Sequence, residues 1–159
     1  MKVKKWIRLV VALGLALTLV ACGQKSTEEI IKTELKDTYV GYSENSGYEN
    51  PFEAGGDSLT FNKSENSITN SQGDMKYFAV VADEDIPATT RGVITSLESE
   101  LEGTNNFTVI ISREKSPTIK QAEAAYQIAL SEGGNRIRIF ELRRDSRDYG
   151  YYDFVGQAE

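Results

Sequence analysis

Short runs in which polar and apolar residues alternate, joined by polar links too brief for crossovers, constrain this chain more than any other feature. Ser58-Leu59-Thr60-Phe61-Asn62 alternates, and Ser67-Ile68-Thr69 does so again beyond Lys63-Ser64-Glu65-Asn66. Thr38-Tyr39-Val40-Gly41-Tyr42 is rich in β-formers. Lys76–Ala82 and Asn106–Ser112 are the strongest strand segments, and Tyr149–Gly156 is an aromatic closing strand. A period of two sends successive side chains to opposite faces. Links of this length join antiparallel neighbours, because a parallel crossover takes a dozen or more residues.

Two segments depart from that rhythm. Asp83-Glu84-Asp85 is a charge run, and Pro87 then suits the first turn of a helix. Val93, Ile94, Leu97 and Leu101 recur at helical spacing before Gly103. An amphipathic helix near 87–102, packing one stripe on a sheet, is the expectation. Over 117–142 two readings stand. One is a hairpin over Tyr126–Leu142 turning at Glu132-Gly133-Gly134-Asn135, and the other is a helix through Leu130 capped by Gly133. The fold class is mainly β (α+β). It is a small antiparallel β-barrel or strongly curved sheet of about seven or eight strands with one packed helix. Ser43 to Asp57 carries Gly47, Pro51, Gly55 and Gly56 and reads as a loop, with Tyr48 and Phe52 inside it.

The opening of the chain has a different character. Lys2, Lys4, Lys5 and Arg8 precede an apolar run of 13 residues, Leu9 to Ala21. A basic start, a short apolar core and a small-residue end make an export signal. A spanning helix needs roughly 20 apolar residues. The run ends Leu19-Val20-Ala21-Cys22-Gly23, which resembles the lipobox of bacterial lipoproteins. The resemblance covers about the first 23 residues. It implies attachment of a diacylglyceryl group to the Cys22 sulfur and cleavage between Ala21 and Cys22. Two acyl chains anchor stably where one holds only marginally. The expected organisation is a signal peptide over 1–21, a lipidated N-terminus and tether over 22–37, and a single β domain over 38–159. Ser26 and Glu29 have capping-box spacing, so the tether is either a short helix or a disordered spacer.

Composition excludes more than it assigns. Removing 21 residues from 159 leaves 138, one ordinary domain. Four of the 18 basic residues lie in the signal, so 14 face 24 acids and the remainder carries −10. That charge argues against nucleic acid as a partner. The chain has one cysteine and no histidine. With Cys22 committed to lipid, no disulfide closes within it. Ser-His-Asp and Cys-His catalysis and most zinc sites are also removed. No phosphate-binding glycine loop occurs, and Asp83-Glu84-Asp85 lacks the spacing of a calcium loop. The expectation is a protein with no enzymatic role, no cofactor and no metal.

Two clusters remain as candidate contacts. Tyr149, Tyr151, Tyr152 and Asp153 form the densest aromatic-acid group. Tyr151 and Asp153 would share one strand face, opposite Tyr152 and Phe154. They line a groove or form a core strand with phenols at its rim. Arg136 and Arg138 share a face in a basic stretch continued by Arg143, Arg144 and Arg147. They grip a carboxylate or phosphate, or pair with the chain's own acids.

The pattern from Leu35 onward resembles the lipocalin-like (calycin) lipoproteins of Gram-positive bacteria, which open on a glycine-x-tryptophan strand soon after the tether. Asp37-Thr38-Tyr39 stands there, with aspartate for glycine and tyrosine for tryptophan. The helix between Val81 and Phe107 is out of place for a standard lipocalin, and the resemblance carries no ligand with it. The resulting expectation is a lipoprotein on the outer face of a Gram-positive cell membrane, binding a small ligand or an envelope protein. The alternative is a surface inhibitor or immunity-type lipoprotein that docks onto a protein partner. A carboxylate-dependent hydrolase comes last.

Overall fold

In the computed structural model, which describes residues 25–144, 148 and 150–159, the alternating segments become eight antiparallel strands. They are β1 (Thr38–Ser43), β2 (Gly55–Asn62), β3 (Ser67–Thr69), β4 (Met75–Val81), β5 (Asn105–Ser112), β6 (Ala124–Ser131), β7 (Arg136–Glu141) and β8 (Asp153–Ala158). Each pairs with the next in sequence, and β8 returns to β1 with Tyr42 opposite Val155. The sheet is therefore a closed, lipocalin-like up-and-down barrel and not an open curved sheet. The Tyr126–Leu142 question resolves as a hairpin, with Leu130 opposite Ile137. Its turn ends at Gly134, where φ is +86° and a Cβ would lie 1.7 Å from the Glu34 carbonyl oxygen. Only glycine fits both conditions.

Alternation fills the barrel. Tyr39, Phe52, Phe61, Phe78, Tyr126, Tyr152 and Phe154 are each 2% exposed or less. Their rings interlock, from Phe52 against Tyr126 at 4.3 Å between centroids to Tyr152 stacked on Phe154 at 6.1 Å. Phe52 comes from the loop before β2 and plugs one end of the barrel. That loop is tied down where Gly47 N–H donates to Phe52 O and Asn70 Nδ2 donates to Pro51 O.

The opposite end is capped by α1 (Thr27–Thr33), whose first turn is closed by the Ser26 hydroxyl accepting from Glu29 N–H. Ile30 and Leu35 join the barrel core. From Lys25 onward, then, the stretch expected as tether packs onto the domain. Tyr39 donates to Gly134 O at 2.8 Å and accepts from Lys36 N–H at 2.9 Å, which stitches cap to wall.

The link between β4 and β5 carries the expected helix, but in two pieces, α2 (Ala88–Ser96) and α3 (Glu98–Leu101). The break is at Leu97 (φ −98°, ψ 10°). Just before it Thr95 and Ser96 hydroxyls donate to Arg91 O and Val93 O, which competes with the helical ladder. The pair lies on the outside of the barrel. Ile86 and Ile94 cover Val81 and Ile110, while Leu97 and Leu101 cover Ala129 and Phe140. β5 and β6 are thus buried on both faces, which explains the unbroken apolar run Val109-Ile110-Ile111. The closing strand begins at Asp153, later than the expected Tyr149. Gly150 at φ +78° interrupts the extended run, and Tyr152 N–H donates to the Glu141 carboxylate instead of a ladder carbonyl.

Candidate functional site

The helices cover the outer wall over β4 to β7 and stop short of β8 and β1. Where they stop, a groove of about 910 Å³ opens between α2–α3 and the outward side chains of β7, β8 and β1. Its floor and rim include Tyr42, Leu97, Arg138, Phe140, Tyr151 and Val155. Tyr42 is 59% exposed and Val155 55%, and they face each other across the β1–β8 ladder. Together they leave a small apolar patch open to water beside the groove.

The polar centre of the groove is a paired charge. Arg138 Nε donates to Asp153 Oδ1 at 2.9 Å and Nη2 donates to Oδ2 at 2.7 Å. This two-pronged geometry is the strong form of the contact. The guanidinium also lies 4.5 Å from the centroid of the Phe140 ring. The Asp153 hydrogen bonds hold Arg138 still more firmly in its charged form than usual. At the rim, Arg143 stacks 4.1 Å from the Tyr48 ring. Glu100 is kept below the ordinary carboxylate range, chiefly by the Ser99 hydroxyl donating to it at 2.7 Å. The groove is therefore amphipathic, with rings and aliphatic side chains around mixed charge.

The sequence-derived candidates separate. Tyr151, Asp153 and Arg138 come together in the groove. Arg136 projects outward toward the α1 end and pairs with Glu132 at 3.0 Å. Tyr152 is a core residue whose ring packs on Phe52, Tyr126 and Phe154. Burial pushes its hydroxyl far above the usual phenol range. Tyr149, Arg147, Ala21 and Cys22 lie outside the described residues. Asp83, Glu84 and Asp85 form an exposed turn of 3-10 helix. Among the described residues, no group of three or more His, Cys, Asp or Glu is placed to hold a metal ion.

Sequence reasoning missed Tyr42, Phe140 and Val155. The available signal was in β1, where Tyr39 and Val40-Gly41-Tyr42 put apolar residues on both faces of one strand. A strand of a filled barrel needs only one such face.

No family model, curated protein or solved structure matches the chain.

Proposed function

We propose that this protein is a lipid-anchored envelope protein with no enzymatic role, which docks onto a protein partner through the groove between α2–α3 and the β7–β8–β1 wall. One observation carries the choice of partner over small ligand. The barrel interior is occupied by its own rings, while the apolar side chains left open to water are outside. A small-ligand barrel keeps its apolar space enclosed. A closed barrel also offers no free sheet edge for strand addition, so recognition falls to side chains. The mix of Tyr42, Val155 and Phe140 with the Arg138–Asp153 pair suits a protein surface with an aromatic or aliphatic anchor and a polar rim.

The location rests on the basic start, the short apolar run and the lipobox ending in Cys22. Among the described residues no helix is long and apolar enough to cross a membrane. The absence of histidine, and a single cysteine committed to lipid, support a role without catalysis.

Two measurements test the reading. Cys22→Ser should leave an uncleaved precursor or release the protein into the medium. A mature-size mutant still fractionating with membranes would overturn the anchor. A photo-crosslinking residue in place of Tyr42 should capture one protein in the host envelope, and Val155→Asp should abolish that adduct. An adduct indifferent to Val155→Asp, or a small molecule co-purifying in stoichiometric amount in native mass spectrometry, would overturn the docking groove.

A further inference from the structure

The end of the barrel capped by α1 also leaves an apolar pair in the open. Val80 is 40% exposed at the end of β4, and Ile31 of α1 is only partly covered by the core. They line one shallow cleft with Thr27, Glu28, Lys32, Lys63 and Asn66. Lys63 is held by Leu35 O at 2.9 Å and Asp37 at 3.0 Å, whereas Lys32 extends from the last turn of α1.

This cleft lies beside the point where the chain leaves the domain toward Cys22, and that point is fixed. Ile30 is buried in the core. The Glu34 carboxylate accepts from Lys25 Nζ at 2.6 Å and from Asn105 Nδ2 at 2.9 and 3.0 Å. Only Gly23 and Gln24 separate Cys22 from Lys25. Three Cα steps reach about 11 Å at most. The barrel is longer than that. The eight residues of β5 rise about 26 Å along the strand, or roughly 20 Å of barrel height at the usual tilt. So short a leash cannot bring the Phe52 end to the surface that holds the lipid.

We propose that the α1-capped end is a membrane-contact surface, with Ile31 and Val80 at the headgroup level of the phospholipid bilayer that anchors Cys22. This rests on the lipid-anchor reading above. Two small apolar side chains suit the boundary between headgroups and acyl chains, and the Lys32 stem can cross it with its ammonium at the phosphates. The acyl chains supply the affinity, and the protein contact sets the orientation. The Phe52 loop then points outward, and the groove of Tyr42 and Val155 opens sideways, parallel to the membrane.

The test uses the lipidated protein purified from its host membranes. An acylated Cys22 sulfur cannot react with a maleimide, so an introduced cysteine is the only labelled site. Val80→Cys, Ile31→Cys and Lys115→Cys carry one fluorophore each in phosphatidylglycerol vesicles containing a quencher at headgroup depth. Val80 and Ile31 labels should be quenched several-fold more than the Lys115 label at the opposite end. Acylated Cys22 with equal quenching at all three sites overturns the orientation and leaves the anchor standing. A mass spectrum showing unmodified Cys22 overturns the anchor and the orientation with it. Shielding of Val80 that depends on protein concentration and not on lipid means that a second copy covers the cleft, which also overturns the proposal.

Discussion

Along β8 and the residues just before it, successive side chains go to opposite sides of one wall. Tyr152 and Phe154 stack inside, at 1% and 0% exposure. Tyr151, Asp153 and Val155 stand outside on the groove. The two sides have similar chemistry, with rings next to polar groups, but different states of completion. Inside, Tyr152 packs on Phe52, Tyr126 and Phe154. Outside, Val155 and Tyr42 have water. Composition alone therefore does not tell the two sides apart; the difference is the apolar area at Tyr42 and Val155 that the fold has left uncovered.

Four substitutions break or sharpen that contrast. The largest effect belongs to the inner side, where Phe154→Ala should cost about 3–5 kcal/mol in urea unfolding. A loss below one kcal/mol would mean that the interior is not tightly filled. At the cap, a buried charge takes the place of a ring. Glu34→Ala should cost about 1–3 kcal/mol at neutral pH, because Lys25 and Asn105 lose their shared acceptor. Its pH dependence has a definite sign. The Lys25 and Asn105 hydrogen bonds hold the folded Glu34 carboxyl below 4.5, so its contribution is whole above that pH and fades as pH falls further. The gap between wild type and Glu34→Ala, followed by thermal unfolding across that range, should therefore close on acidification.

Tyr152→Phe should be neutral or stabilise by up to about 1 kcal/mol. Among the described residues, the Tyr152 hydroxyl is buried without a hydrogen-bond partner. A clear loss of stability would show that the hydroxyl is satisfied. The smallest effect on stability belongs to the outer side. Val155→Ser should change unfolding by no more than about 0.5 kcal/mol and yet weaken partner capture by the Tyr42 crosslinker. Equal losses at Phe154 and Val155 would erase the distinction between the two faces.

Much of this fold was legible because alternation is a local signal. The hairpin at Ser58–Thr69 could be read from its own residues, whereas Tyr126–Leu142 also fitted a helix until its pairing, Leu130 opposite Ile137, decided it. Closure was not local. It depends on β1 meeting β8, and no pattern in either strand announces the other. The groove was less legible still. Alternation already set Tyr151 and Asp153 opposite Tyr152 and Phe154, but it gave no sign that Asp153 would meet Arg138 of β7. Tyr42 and Val155 meet only through the register of the closing pair. The break at Leu97 followed from hydroxyl-to-backbone bonds at Thr95 and Ser96, which the apolar spacing of Val93, Ile94, Leu97 and Leu101 could not reveal.

The closing pair also sets a clock. Val40 and Gln157 face each other from 117 positions apart. At ribosomal speeds of about 5–20 residues per second, β1 waits roughly 6–23 s after its own synthesis for its second neighbour. During that interval the wall lacks its final seam and β1 keeps one side open. A chain built this way stays unfinished until its closing strand is made.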